Sequence, residues 1–208
     1  MTWASPEEFA RALFESPVTT ADAERDRLID DEDFDPWYGE GTEFVRLCTG
    51  LFESFGALSA PYSAQQIDQG LWSIRSDPFF LPFNMLDEQV PVSLATACVR
   101  AAYHLYADFL AVRRPEQHVG SLYMWWDEGW PGAAPEFLDA VLETLERILA
   151  IPEDQCRRAA LHGLAHFKQD WDDTAARGVI SGFLTRYRDT LPTEMISYAE
   201  FCRDEFHV

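Results

Sequence analysis

His162, His166 and Asp170 stand at i, i+4 and i+8, a spacing that lays three ligand-type side chains roughly along one helix face, as a helical metal site requires. His104 and Asp108 repeat the i, i+4 spacing on an earlier segment and would complete a four-ligand site if the two helices met. A metalloprotease helix carries glutamate directly after its first histidine to serve as general base; here that position is Gly163. The plainer reading of the same residues is that the imidazoles pack against neighbouring helices and hydrogen-bond to carbonyls or carboxylates. Gly163 would then let two helices approach closely.

Other catalytic signatures do not occur. There is no G-x-S-x-G nucleophile elbow, no P-loop and no Rossmann glycine fingerprint. Cys48, Cys98, Cys156 and Cys202 lie far apart without a C-x-x-C pair, so neither a zinc knuckle nor a redox motif is indicated. Each falls in an apolar-periodic segment, where a free thiol behaves as a small hydrophobe. They read as buried thiols of a reducing compartment.

Two groups speak for binding. Between Asp22 and Asp35 the chain carries eight acids and two arginines, its densest charge. Asp31, Asp33 and Asp35 mimic the first oxygen ligands of a calcium loop, but the position that needs glycine holds Pro36 and the one that needs glutamate holds Thr42. Asp30, Asp31, Glu32, Asp33 and Asp35 therefore read as an acidic arm or a partner-binding patch. The second group is aromatic: Tyr123, Trp125, Trp126 and Trp130, beside Asp127 and Glu128. Four large rings cannot all face one side of a short helix. Exposed tryptophans next to carboxylates would suit an arginine-rich partner through stacking and ion pairing; otherwise they fill the joint between two halves of the molecule.

The whole-chain balance points the same way. Acids outnumber bases 36 to 16, a formal charge of −20 that repels nucleic acid and anionic lipid and speeds encounter with cationic surfaces. Lys168 is the sole lysine, an arginine bias that GC-rich coding explains; a salt-adapted proteome is the other plain account of the acidity. With 47% apolar residues in 208, the chain has enough core material to fold unaided. The start shows no basic and apolar signal pattern, and the longest stretch without charge, Ser54 to Ile67, is broken by Gly56 and Pro61. A soluble cytoplasmic protein is expected, with no cofactor and no membrane contact.

These residues must be positioned by helices. Ser5, Pro6 and Glu8 form a capping box ahead of Phe9, Leu13 and Phe14, and Pro17 ends that helix. A weak helix is expected over 20–29, then an acidic break. Phe44, Leu47, Cys48, Leu51, Phe52 and Phe55 repeat at helical spacing up to a stop at Gly56, and Ser63 with Gln66 opens a helix that buries Ile67, Leu71 and Ile74. Pro91 starts a long helix whose stripe runs from Leu94 to Phe109 and which ends near Arg113. A shorter helix is expected over 120–126. Four more follow over roughly 135–150, 153–168, 173–188 and 193–205, with Ile151-Pro152 and Leu191-Pro192 opening helices 40 residues apart. No segment alternates with a two-residue period, so no sheet is expected.

The segments Ala160-Leu161-His162-Gly163-Leu164-Ala165-His166, Gln69-Gly70-Leu71-Trp72 and Tyr123-Met124-Trp125-Trp126-Asp127 resemble a group of uncharacterised bacterial HEAT-like proteins over residues 40–208. The resemblance implies a helical scaffold and carries no activity. Together these readings predict one all-α domain over 1–208: a HEAT-like, α-solenoid-like stack of antiparallel helix pairs, about nine or ten helices, with an acidic arm at 1–40 and the clearest repeats at 134–208. The function expected is a non-catalytic protein that binds a basic partner, in its sharpest form an immunity protein or inhibitor of a cationic toxin or a DNA-mimic-like binder. The alternative is a metal-dependent enzyme using His162, His166 and Asp170, with His104.

Overall fold

The computed structural model describes residues 3–15, 41–75, 80–116, 118–127, 133–170 and 172–206. The acidic arm segment 30–35, the weak helix expected over 20–29, Pro17, Glu128 and Trp130 lie outside the described residues, as does the Asp170 side chain. Every regular element among the described residues is helical, and no described helix is long and apolar enough to cross a membrane.

Helix α1 (Pro6–Phe14) begins at the predicted cap: Ser5 Oγ accepts from the Glu8 amide at 3.3 Å, and Glu8 reaches back to the Ala4 amide at 2.9 Å. Its buried face, Phe9, Ala10, Leu13 and Phe14, packs on α2 (Gly41–Glu53) and on α4 (Ala64–Arg75). The second capping box is fully reciprocal. The Ser63 amide donates to Gln66 Oε1 at 3.0 Å and the Gln66 amide to Ser63 Oγ at 3.2 Å, while Gln66 Nε2 reaches the last carbonyl of α1, Phe14, at 2.9 Å.

Between α2 and α4 the chain departs from the expected stop. Gly56 does not end a helix; it lies inside a further turn, α3 (Phe55–Leu58), where the Asp108 Cβ packs 3.1 Å from the place a Cβ would occupy. The long helix predicted from Pro91 is also interrupted. After α5 (Leu81–Leu86) and α6 (Val92–Ala101) comes a π-helical segment, Leu105–Leu110, and then a last turn, α7 (Ala111–Arg113), which ends at Arg114 with a positive φ of 44°. The π-helical segment buries Leu105, Tyr106, Phe109 and Leu110 together.

Helix α8 (Gly120–Tyr123) is shorter than expected and gives way to a turn through Trp126. The last third follows the predicted spans closely, as α9 (Pro135–Leu149), α10 (Asp154–Asp170), α11 (Asp173–Tyr187) and α12 (Thr193–Asp204). Packing runs largely in chain order: α2 on α6, α6 on α9, α9 on α10, and α10 on both α11 and α12. Helix α8 touches α4 on one side and α10 on the other. A connected cluster of buried side chains extends from Phe9 to Cys202, and all four cysteines are buried free thiols within it.

Candidate functional site

Helix α10 is buried around most of its circumference. Cys156, Ala159, Ala160, Leu161, Leu164, Ala165 and Phe167 are all interior, because α9, α11, α12, α8 and the π-helical segment surround it. Small residues allow that crowding. Polar side chains on such a helix are therefore drawn into the interior, and His162 is 8% exposed.

The turn after α8 is anchored by partners from other elements. The Ser121 amide donates to Asp68 Oδ1 at 2.7 Å, the buried Tyr106 hydroxyl donates to the Leu122 carbonyl at 2.8 Å, and the Arg75 guanidinium donates to the Met124 carbonyl. Burial holds the Tyr106 phenol well above its ordinary pKa, so it remains a donor. Trp125 packs edge-on against Phe52 at 5.6 Å and lies under the Arg75 guanidinium, also at 5.6 Å. Thus fixed, the turn delivers Asp127 to α10.

Asp127 Oδ1 lies 3.0 Å from His162 Nε2 and 3.6 Å from His166 Nε2, with the three side chains only 14%, 10% and 13% exposed. One ligand atom from each falls within 4.8 Å of the others, and this is the one such group of three His, Cys, Asp or Glu side chains among the described residues. The 3.0 Å contact is not an aligned hydrogen bond, and Asp127 Oδ1, His162 Nε2 and His162 Nδ1 are buried without a hydrogen-bond partner. Tyr123 stacks on His162, centroids 4.3 Å apart and planes 20° from parallel, and its hydroxyl meets that of Tyr198 at 2.8 Å. Burial, with the neighbouring Cys202, raises the Tyr198 phenol far above its usual range, so that hydroxyl is neutral. Phe206 sets its edge against both imidazoles, at 5.5 and 5.2 Å. The sole lysine holds it there: Lys168, 6% exposed, donates to the carbonyls of Arg203 at 3.3 Å and Phe206 at 3.2 Å.

The structure thus brings His162 and His166 together and sets beside them the carboxylate of Asp127, a residue the sequence reading placed among partner contacts; the Asp170 side chain lies outside the described residues. His104 stands apart, its Nδ1 2.7 Å from Asp108 Oδ2 at an exposed position, and it joins no group with the other histidines. Trp125 and Trp126 are core residues rather than surface anchors, 7% and 2% exposed, because the turn after α8 is enclosed by α4, the π-helical segment and α10. The run of apolar and aromatic residues from Tyr123 to Trp126 was the available signal for that interior turn.

A surface feature escaped the sequence reading. Glu136, Asp139, Glu143 and Glu146 are exposed and recur at helical spacing on one face of α9. Much of the basic complement, by contrast, is engaged within the protein. Arg113 donates to the Ala60 and Tyr62 carbonyls, Arg147 lies 4.2 Å over the Tyr103 ring, and Arg157 sits over Phe183 and Tyr187. Arg177 and Arg188 are paired with Asp173, Asp204 and Glu200.

Comparison of the chain with protein-family models, curated proteins and solved structures gives no match.

Proposed function

We propose that this chain is a non-catalytic, cytoplasmic interaction protein whose acidic surface docks on a basic protein. Its sharpest form is an immunity protein or inhibitor that covers the active site of a cationic toxin, such as a nuclease, in the manner of a DNA mimic. One observation carries the reading. An acidic excess of 20 remains after every arginine and lysine is counted, and the exposed row on α9, where Glu143 pairs with Arg100 at 2.9 Å, is one place where it is concentrated. Such a surface raises encounter rate with a cation and rejects nucleic acid.

The scaffold reading is HEAT-like. The α9–α10 and α11–α12 pairs, each joined by a short connection, and the openings at Ile151-Pro152 and Leu191-Pro192 support stacked antiparallel pairs. Partner contacts then fall to Asp30, Asp31, Glu32, Asp33, Asp35 and the α9 acids, since Trp125, Trp126 and Asp127 are interior. The competing reading, a metal-dependent enzyme on His162, His166, Asp170 and His104, draws less support: His104 lies apart, and Tyr123 and Phe206 cover the imidazoles.

The test is capture of partners from host lysate at low and high salt, followed by reconstitution with the purified partner. A stoichiometric basic protein is expected, with an association rate that falls as salt rises. Neutralising Asp30, Asp31, Glu32, Asp33 and Asp35 to Asn or Gln should slow association and flatten its salt dependence without lowering Tm. Recovery of only acidic or neutral partners, or association indifferent to salt, overturns the proposal.

A further inference from the structure

We infer that Asp127, His162 and His166 bind one divalent transition-metal ion of the zinc type, which braces the turn after α8 against α10. The site stands independently of the partner reading, which uses other residues.

The first argument is distance. Zinc bound tetrahedrally at about 2.0–2.1 Å from each ligand keeps neighbouring ligand atoms about 3.3 Å apart. The two separations from the carboxylate, 3.0 and 3.6 Å, bracket that spacing, and all three ligand atoms lie within 4.8 Å of one another.

The second is direction. An imidazole nitrogen points its lone pair at the metal, and the next ligand atom then lies to one side of that axis. A carboxylate oxygen 3.0 Å from His162 Nε2 that makes no aligned hydrogen bond to it is placed as a co-ligand is placed, and not as a hydrogen-bond acceptor is. A metal satisfies Asp127 Oδ1 and His162 Nε2 together, two buried atoms that otherwise lack partners. His162 Nδ1 then carries the ring proton.

Third is donor chemistry. Two imidazoles and one carboxylate suit zinc and its neighbours, whereas magnesium and calcium prefer oxygen throughout. The surroundings fix the ligands: Tyr123 stacks on one ring, Phe206 wedges both, and the Lys168 clasp holds Phe206 in place. Such support from outside the ligand set is what metal sites need to hold their geometry.

The experiment uses the full chain, stripped with chelator and titrated with Zn²⁺ against a chromophoric competitor, with Mg²⁺ as a parallel arm. One tight equivalent of Zn²⁺, a rise in Tm on loading and no response to Mg²⁺ are expected. Asp127→Asn and His166→Gln should each weaken Zn²⁺ binding by at least about 100-fold, beyond the 10–100-fold that loss of an outer partner costs. His104→Gln should leave it unchanged. Co²⁺ should give the visible absorption of a tetrahedral site in the parent chain and lose it in Asp127→Asn. Should either variant fail to fold, the parent chain's stoichiometry, Tm response and cobalt spectrum decide alone. The inference is overturned if the parent chain takes up no Zn²⁺, or if folded Asp127→Asn and His166→Gln bind it as the parent does. A lost partner with zinc retained would remove only the docking proposal.

Discussion

Gly163 on α10 faces Trp126 so closely that a Cβ added at 163 would lie 2.6 Å from the Trp126 Cβ, with Leu145 Cδ2 at 2.9 Å on the other side. The glycine admits the turn that carries Asp127, and the neighbouring residue His162 receives it. Gly163→Ala should therefore cost stability although alanine is the better helix former by about 1 kcal/mol. Overpacking of about 1–3 kcal/mol opposes that gain, so a net loss of up to roughly 2 kcal/mol is expected in urea unfolding.

Gly178 and Gly182 on α11 supply the contrast. Nothing lies within 4 Å of a Cβ at either position. Substitution with alanine should stabilise by up to about 1 kcal/mol at each site through helix propensity alone. A loss at both, measured by the same unfolding curves, would refute this account of the crowding at 163.

Lys168 closes the end of the chain through two carbonyls. Lys168→Met keeps the buried stem and removes the ammonium, leaving the Arg203 and Phe206 carbonyls without that donor. A loss of about 1–3 kcal/mol is expected. Hydrogen exchange at the end of α12 should quicken more than that of α9.

Tyr106→Phe isolates one hydrogen bond in the core. The ring is fully buried and its hydroxyl is the donor to Leu122. Deleting the oxygen should cost about 1–2 kcal/mol, with little change in far-ultraviolet circular dichroism.

Burial pushes the Cys98 thiol up to about 12 and the Cys202 thiol up to about 11, and raises Cys48 and Cys156 as well. In the unfolded chain a thiol titrates near its ordinary value of about 8.5. Folded pKa values above unfolded ones mean that the unfolded state loses protons first as pH rises. The stabilising contribution is thus fully present below about pH 8.5 and declines as pH climbs through the folded values near 11 and 12. Tm should fall between pH 9 and 11 (the assay range, about one unit apart per step), and a thiol reagent at pH 8 should label the native protein only as fast as it opens. Rapid native labelling of any of the four would contradict the burial.

The residues themselves determined whatever is local. The Ser5–Glu8 and Ser63–Gln66 boxes, the spans of α9 to α12 and the burial of the four cysteines were legible because caps and helical periodicity act within a turn or two of chain. The pairing of His162 with His166 was legible for the same reason, both lying on one helix. Tertiary packing decided the rest. The π-helical turn at Leu105–Leu110, the passage of the chain through Gly56 and the burial of Trp125 and Trp126 each depend on which distant helix lies alongside. The carboxylate that meets the histidines is the plainest case. Helical spacing sees one helix at a time and so could not offer Asp127, which arrives from a separate turn held by Asp68, Tyr106 and Arg75, whose contacts form only once α4, α8 and α10 have packed together.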